Sequence, residues 1–250
     1  MSDFGGLEGR AALVTGASSG LGRRAAVVLA RAGANVVAVA RRAEALDTLS
    51  AEAGRDVHVL PFDLADREAI PDLARRAAEP FGPPLIVVHA AGLNPRKPAD
   101  EVTFEDWDAT MAVNLAAPFF LSRALVPGMR AEGWGRIVLF ASLQSSRAFP
   151  NGLPYGASKG GVAQMTRAMA EAWSSDGIAV NAIGPGFFPT ELTAPVFADE
   201  ERAARNAAGT CIGRNGRMED LDGPLLFLCS DACGYVTGQV LMLDGGYTAK

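Results

Sequence analysis

Short apolar runs, many of them rich in β-branched residues, alternate with longer segments of helical periodicity along the whole chain. Most of the short runs are continuously apolar, which is typical of parallel strands covered by helices on both faces. This alternation predicts a doubly wound parallel sheet joined by right-handed crossovers. The predicted strands are Ala11–Thr15, Asn35–Ala40, Val57–Phe62, Leu85–His89, Arg136–Ala141, Ala179–Ile183 and Val240–Leu243.

The predicted fold class is therefore α/β: a single-domain Rossmann fold with a doubly wound parallel sheet of about seven strands and helices on both faces. Its 250 residues, 49% hydrophobic, suffice for one large core, and no linker or repeat divides residues 1–250. Thr103 and Asp66 are good N-cap residues for two of the helices. The predicted helices are Gly20–Ala32, Ala43–Ala53, Arg67–Ala78, Phe104–Glu132, Tyr155–Ser174 and Glu219–Cys229.

Three irregular stretches follow the strands that end at His89, Ala141 and Ile183. Ligands of open α/β sheets bind outside the carboxyl ends of the strands. We therefore expect residues 92–100, 143–154 and 184–210 to converge over one site as substrate loops.

The charge pattern argues against several classes of partner. Net charge is −5, and the basic residues are scattered among acidic ones, so neither nucleic acid nor a membrane surface is an expected partner. No stretch approaches about 18 consecutive apolar residues, and the first ten residues lack the apolar core of a signal peptide, which predicts a cytoplasmic protein.

Cys229 and Cys233 have no matching histidine or cysteine pair, so no metal site is expected.

Three glycines, Gly16, Gly20 and Gly22, lie between the first strand and the first helix. Glycine there permits a tight turn and a close backbone approach, and the helix N-terminus offers free N–H groups to a pyrophosphate. A strand–helix turn with no ligand could carry the same glycines, but their place in an N-terminal βαβ unit favours a dinucleotide site.

The second strand ends at Ala40 and is followed by Arg41 and Arg42. An NAD site usually has an acidic residue here to bond the ribose 2′-hydroxyl, whereas an arginine suits a 2′-phosphate. NADP(H) is therefore favoured over NAD(H), although the arginines could also be solvated charges at a helix start. Asp63, after the third strand, could bond the adenine amine or cap the following turn.

Tyr155 and Lys159 stand four residues apart, so in a helix both side chains lie on one face. A lysine ammonium beside a phenol is expected to lower the tyrosine pKa, and a phenol so tuned can exchange a proton as alcohol–ketone interconversion requires. A surface pair at a helix start is the alternative interpretation.

In combination, these motifs resemble the short-chain dehydrogenases/reductases over essentially the whole chain. The motifs are Thr15-Gly-x-x-x-Gly-x-Gly22, the turn His89–Gly92, Asn114, Ser142, Tyr155-x-x-x-Lys159 and Pro185-Gly-x-x-x-Thr190. The resemblance implies that Tyr155 is the general acid and base, that Lys159 holds the nicotinamide ribose, that Ser142 bonds the substrate oxygen and that Asn114 anchors a proton-relay water. It further implies that the cofactor site comprises Gly16, Ser18, Ser19, Gly20, Leu21, Gly22, Arg41, Arg42, Asp63, Leu64, His89, Ala90, Gly92, Tyr155, Lys159, Pro185, Gly186, Phe188 and Thr190.

One motif departs from the family pattern. The family's Asn-Asn-Ala-Gly turn is His89-Ala90-Ala91-Gly92 in this chain, which removes two amide side chains that brace the central strands. Backbone contacts to the cofactor can survive this change. His89 either replaces the lost bonds in part or, as we expect, is an inert packed histidine.

Two segments, 142–146 and 185–193, are most similar to gluconate 5-dehydrogenases and related sugar-acid or polyol reductases. A 3-oxoacyl-thioester reductase of the same family and a non-catalytic dinucleotide sensor are the alternatives. Polar residues on the loops could hydrogen-bond a polyhydroxy chain, and one arginine could clamp a carboxylate; the candidates are Asn94, Arg96, Gln144, Arg147 and Asn151, with Phe187 in an apolar wall. The family resemblance further implies a homotetramer, or a homodimer, built on the two long helices.

Overall fold

The computed structural model describes residues 5–250, and within them it contains one sheet of seven parallel strands. In chain order the strands are β1 (Ala11–Thr15), β2 (Asn35–Ala40), β3 (Val57–Pro61), β4 (Ile86–His89), β5 (Gly135–Phe140), β6 (Ile178–Pro185) and β7 (Val240–Leu243). Across the sheet the order is β3-β2-β1-β4-β5-β6-β7, so the direction of winding reverses between β1 and β4. The predicted doubly wound α/β class is confirmed, and the strand limits agree with the prediction to within two residues.

Nine α-helices lie in the same described residues. They are α1 (Gly20–Arg31), α2 (Leu49–Ala53), α3 (Ile70–Ala77), α4 (Phe104–Met111), α5 (Ala117–Glu132), α6 (Leu153–Trp173), α7 (Ala194–Phe197), α8 (Glu200–Gly209) and α9 (Asp222–Cys229). They cover both faces of the sheet. One apolar core packs α1 and α9 against one face, and a second packs α3, α5 and α6 against the other.

The predicted helix Phe104–Glu132 is continuous, but a π-helical turn, Ala112–Ala116, joins α4 to α5. It begins at Thr103, as expected: Thr103 Oγ1 accepts a hydrogen bond from the Asp106 backbone N–H at 3.2 Å, and Asp106 Oδ2 accepts one from the Thr103 N–H at 3.1 Å. By length and composition this helix could cross a membrane, but 44% of its most apolar window is buried inside the fold. Packing against the sheet accounts for its apolar character.

Two early helices are shorter than predicted. The segment predicted as Ala43–Ala53 is helical only at α2, because Arg23 draws the preceding residues into turns: its guanidinium donates to Ala45 O at 2.6 Å and to Thr48 Oγ1 at 2.7 Å. The helix predicted to start at Arg67 starts at Ile70. Pro71 is in its first turn, where the missing N–H costs nothing, and Asp66 caps the turn before it instead of the helix.

The prediction of an irregular stretch over 184–210 is wrong. Strand β6 continues to Pro185, and the remainder contains a 3₁₀ turn, Glu191–Thr193, followed by α7 and α8. Helix α8 starts where the Asp199 side chain accepts a hydrogen bond from the Arg202 N–H at 2.9 Å. Near the C-terminus, the predicted helix Glu219–Cys229 is divided between a 3₁₀ turn, Met218–Leu221, and α9.

The register brings the ends of the central strands together. Thr15 of β1 is paired with His89 of β4, and His89 is paired in turn with Leu139 of β5. The loops that follow β1, β4, β5 and β6 therefore leave the sheet at one edge. That edge is where a ligand site is expected in a doubly wound fold.

Candidate active site

A cavity of about 580 Å³ opens at the carboxyl edge of the sheet. It brings together most of the residues singled out by the sequence, from the glycine turn to the loop after β6. Those that line it are Gly16, Ser18, Ser19, Gly20, Leu21, Gly22, Arg41, Arg42, Asp63, Leu64, Ala90, Gly92, Asn94, Arg96, Ser142, Gln144, Tyr155, Lys159, Pro185, Gly186, Phe187, Phe188 and Thr190. Four others, Asn114, His89, Arg147 and Asn151, lie outside its lining.

The glycine turn needs glycine for steric reasons. Gly16 has φ +71°, and a Cβ there would lie 2.6 Å from the Ala91 backbone nitrogen. A Cβ on Gly22 would lie 2.3 Å from Gly16 O. The turn and the N-terminus of α1 are therefore packed against the loop after β4, and Ser19 at the N-cap makes no side-chain capping bond. Residues of this turn and of the helix N-terminus line the cavity, where free backbone N–H groups can bind a phosphate.

At the end of β2, Arg42 is held across the cleft. Its guanidinium donates to both carboxylate oxygens of Glu191, at 2.7 and 3.2 Å, and to Ser18 Oγ at 3.2 Å. This ion pair holds the pKa of the Glu191 carboxyl below its usual range. Arg41 is exposed and lines the same cavity. Asp63 accepts a hydrogen bond from the Ala65 N–H at 3.0 Å, so one of its oxygens caps the turn after β3.

Tyr155 and Lys159 lie on α6, and Ser142 follows β5. The tyrosine and lysine side chains are 9% and 4% exposed, and the lysine Nζ is 5.6 Å from the centre of the tyrosine ring. The ammonium of Lys159 donates to Phe140 O at 2.5 Å. These contacts bring a phenol, a hydroxyl and an ammonium to one wall of the cavity.

The expected effect of Lys159 on the tyrosine is not observed. Burial raises the pKa of Tyr155, and it outweighs a hydrogen bond with Ser142 and the charge of Arg96, which act in the opposite direction. Burial also lowers the pKa of Lys159 to about 8. The phenol is therefore held protonated because removal from water disfavours its charged form more than nearby cations favour it.

Asn114 lies in the π-helical turn behind the cavity and is buried. Its amide donates to Leu93 O at 2.9 Å and to Ser158 Oγ at 3.0 Å, while its Oδ1 accepts from the Leu93 N–H at 2.9 Å. The side chain thus ties the loop after β4 to α6. π-Helical turns often occur at functional sites, and this one places Asn114 where both elements meet.

His89 is packed in the interior, as expected, but it is also hydrogen-bonded. Its Nε2 lies 2.8 Å from Ser122 Oγ on α5. Burial lowers the pKa of His89 to about 3, so the ring is neutral at physiological pH. The altered turn lacks the two amide side chains that brace the central strands in the family. The bond from His89 to Ser122 replaces part of that bracing, because it links β4 to α5.

Two of the polar residues proposed for the substrate lie elsewhere. Arg147 donates to Thr248 O and Lys250 O of the closing segment, at 3.3 and 2.9 Å. Asn151 is exposed in a left-handed conformation with φ +59°. Asn94, by contrast, accepts a hydrogen bond from the Arg96 N–H at 3.2 Å inside the lining of the cavity.

Several residues that line the cavity were missed in the sequence, and Arg202 on α8 is the only cation among them in the described chain. Phe149 and Phe187 line the cavity with their rings 6.1 Å apart, and Tyr247, outside the lining, packs against Phe187 with the rings 5.4 Å apart. The Asp199 cap signal could have revealed α8. Nothing in the sequence brings Tyr247 near Phe149.

Comparisons with known proteins agree with this geometry. A family model described as enoyl-(acyl carrier protein) reductase matches residues 16–248. The chain is 41% identical to the gluconate 5-dehydrogenase of Gluconobacter oxydans (strain 621H), over 99% of this chain and 98% of that protein. It is 38% identical to the galactitol 2-dehydrogenase (L-tagatose-forming) of Cereibacter sphaeroides, over 97% and 96% of the two chains.

The crystal structure of a gluconate 5-dehydrogenase from Burkholderia cenocepacia J2315, in complex with NADP and tartrate, has a TM-score of 0.93 and 35% identity, covering 99% of this chain and 98% of that one. Fold, site and relatives together define an oxidoreductase that uses a nicotinamide dinucleotide and acts on a small-molecule alcohol or ketone. The chain belongs to the short-chain dehydrogenase/reductase family.

Proposed function

We propose that the protein is an NADP(H)-dependent oxidoreductase that interconverts a secondary alcohol and a ketone of a sugar acid or polyol. The observation that carries this proposal is that Tyr155, Ser142 and Lys159 line the same cavity as the glycine turn. Carbonyl reduction requires a proton donor and a second hydrogen bond to the same oxygen. The names of the gluconate and galactitol dehydrogenases support the substrate class.

In the proposed mechanism, Tyr155 donates its proton to the ketone oxygen in reduction and accepts one from the alcohol in oxidation. A nicotinamide dinucleotide held in this cavity would supply the hydride in reduction and take it up in oxidation. Ser142 hydrogen-bonds the substrate oxygen and stabilises the charge that develops on it. Because burial raises the pKa of Tyr155, the phenol is ready to donate at neutral pH, whereas oxidation becomes faster as the pH rises and the phenolate forms.

Lys159 and Asn114 complete the proposed catalytic set. The ammonium of Lys159 would hold the nicotinamide ribose hydroxyls, and Asn114 would anchor a proton-relay water. The bonds from Asn114 to Leu93 and Ser158 also make it a positioning residue for the loop after β4. Replacing Tyr155 with Phe is expected to abolish turnover while NADPH binding is retained. If the Tyr155→Phe variant retains turnover, the assignment of Tyr155 as general acid and base is wrong. If the unmodified protein binds NADPH but turns over no substrate, it is the non-catalytic sensor considered above.

The preference for NADP(H) over NAD(H) rests on the end of β2. Ala40 leaves this point without an acid, and both Arg41 and Arg42 line the cavity. A guanidinium forms paired, charge-assisted bonds with a phosphate. Fluorescence titration with NADPH and NADH is the test: Arg41→Ala and Arg42→Ala should weaken NADPH binding and leave NADH binding unchanged. Arg55→Ala, whose exposed side chain is ion-paired with Glu8, is the matched control.

The second candidate is a 3-oxoacyl-thioester reductase. The observation that favours it is that the rings of Phe149 and Phe187, which contact each other, both line the cavity. An acyl carrier protein is acidic and needs a basic surface near the site, but Glu105 and Asp106 begin α4. Parallel assays with 5-ketogluconate and an acetoacetyl thioester separate the two. Preferential turnover of the thioester would refute the sugar-acid proposal.

We further propose that residues 1–250 form one catalytic domain with substrate loops at 92–100, 143–154 and 184–210, and that it works in the cytoplasm as a homotetramer or homodimer. Partly exposed apolar side chains between the two long helices support association through that face; they include Met111, Leu115, Phe119 and Met165. Sedimentation of a monomer at micromolar concentration would rule out the oligomer.

A further inference from the structure

Two arginines from different parts of the fold lie at one end of the cavity. Arg96 is in the loop after β4, and Arg202 is in the first turn of α8; both line the cavity together with Tyr155. Within residues 5–250, neither guanidinium forms an ion pair with a carboxylate. By contrast, two arginines of the first helix are ion-paired, Arg23 with Glu52 and Arg24 with Asp222. Among the described arginines that line the cavity only Arg42 is ion-paired, which leaves Arg96 and Arg202, like Arg41, available to an anionic ligand.

The position of Arg96 is fixed by its backbone conformation and by a contact with the turn Glu191–Thr193. Its φ is +52°, a left-handed conformation that few non-glycine residues adopt, and the Asn94 side chain supports it by accepting from the Arg96 N–H. Its Nη2 donates to Leu192 O at 3.0 Å, in the turn that leads to α7 and α8. Backbone strain of this kind persists where the surroundings fix it, and it is common at ligand sites.

The two positive charges act on each other. Burial lowers the pKa of Arg96, the charge of Arg202 lowers it further, and Tyr155 acts in the opposite direction. Arg96 is therefore close enough to sense both the second arginine and the reacting phenol. Like charges held together without an acid destabilise the free protein, and an anion bound between them relieves that repulsion.

The cofactor already has its own anion sites. In the proposed function its phosphates bind at the turn that contains Gly16 and at Arg41 and Arg42, which line the cavity at the ends of β1 and β2. Arg96 instead lies close enough to Tyr155 for their charges to interact, and Arg202 lies close to Arg96 in the same cavity. A substrate that receives its proton from Tyr155 must bind next to this pair. An anion at this point belongs to the substrate, and the planar fork of arginine matches a carboxylate.

We propose that Arg96 and Arg202 together bind the carboxylate of the substrate, so that the enzyme selects sugar acids over neutral polyols. The inference rests on the proposed function and makes it more specific. Because Arg202 belongs to α8 and Arg96 contacts Leu192, a carboxylate bound by both arginines would tie the segment that contains Leu192 and α8 to the loop after β4. Arg202 is then a specificity-determining residue on a helix that the sequence patterns did not reveal.

The test compares an acid with a neutral substrate. Arg202→Ala is assayed for oxidation of gluconate and of galactitol, with Arg205→Ala as control: Arg205 is on the same helix, exposed and paired with Glu201 at 2.6 Å. Losing a charged hydrogen-bonding partner predicts a fall of about 10- to 100-fold in kcat/KM for gluconate, mainly through KM. Turnover of galactitol and the Kd for NADPH should not change. Arg202→Lys keeps the charge and should recover part of the loss.

Four results would overturn the proposal: equal losses for both substrates, a matching loss of NADPH affinity, the same effect in Arg205→Ala, or a parent enzyme that prefers galactitol. If the parent oxidises neither compound, the proposed function fails. Calorimetric titration of gluconate into the enzyme with bound NADP then tests separately whether Arg96 and Arg202 form a clamp for the carboxylate. Binding that is lost in Arg202→Ala supports the clamp, and no binding by the parent refutes it.

Discussion

Lys159 carries its charge in a buried position, and the energetic cost of that charge should be measurable. Its pKa is lowered by burial from 10.5 to about 8. In the unfolded chain the lysine keeps its proton up to about pH 10.5, so between pH 8 and 10.5 the unfolded state binds more protons than the folded one. The free energy of unfolding therefore rises with pH in that window.

The magnitude follows from the shift. A change from 10.5 to about 8 corresponds to ~3 kcal/mol of lost stability at pH 7, of which ~1 kcal/mol remains at pH 9.5. Replacing Lys159 with Met removes the titrating group. We expect the free energy of unfolding of the variant minus that of the parent to fall by about 2 kcal/mol from pH 7 to 9.5. The lost bond to Phe140 O adds a constant offset that cancels in this change.

The assay is guanidinium unfolding of both proteins without cofactor, at one protein concentration and several pH values. Tyr155→Phe is the control from the same cavity. Burial raises the pKa of Tyr155, so the phenol of the folded parent stays protonated in this range. The free energy of unfolding of Tyr155→Phe minus that of the parent should therefore change by no more than about 0.3 kcal/mol up to pH 9.5. If the free energy of unfolding of Lys159→Met minus that of the parent is constant or increases with pH, burial does not destabilise the ammonium of Lys159. The reasoning about its charge is then wrong.

Three further substitutions test other contacts. Glu191→Gln releases Arg42 from its ion pair, so NADPH should bind about twofold to fivefold more tightly in a fluorescence titration; weaker binding would mean that Glu191 supports the cofactor site. Gly16→Ala puts a Cβ 2.6 Å from a facing backbone nitrogen at φ +71°, and a melting temperature at least about 5 °C lower is expected; an unchanged value would contradict that geometry. Ser122→Ala leaves buried His89 without its partner, which should cost about 1–3 kcal/mol in denaturant unfolding without changing the NADPH Kd, and a neutral effect would show that the bond is dispensable.

The sheet could be predicted almost residue by residue, because each central strand is a continuous apolar run between polar turns. β1, β2 and β7 have the predicted limits. The errors lie where distant side chains decide local structure: Arg23 on α1 holds 45–48 in turns, although that segment has good helical composition. A contact between residues more than twenty positions apart has no signature in local periodicity.

The candidate site was predictable for a different reason. Parallel strands end at one edge, so residues just after β1, β4, β5 and β6 must share a cavity whatever their loops do. Arg202 was missed because its helix was missed. The direction of the Tyr155 pKa was wrong because burial, which dominates it, cannot be calculated from a spacing of four residues.

The distribution of charge joins the cofactor site to the proposed substrate clamp. The chain as a whole carries −5, yet among the described residues five cationic side chains and two acidic ones, Asp63 and Glu191, line the cavity. A cleft of one sign within low-dielectric walls concentrates field lines and attracts ligands of the opposite sign. Arg41 and Arg42 line the proposed cofactor site, whereas Arg96 lies near both Tyr155 and Arg202, so the field favours an anionic cofactor and an anionic substrate together. A neutral polyol would gain nothing from the second pair, and for that reason the comparison of gluconate with galactitol addresses the electrostatics of the whole cleft.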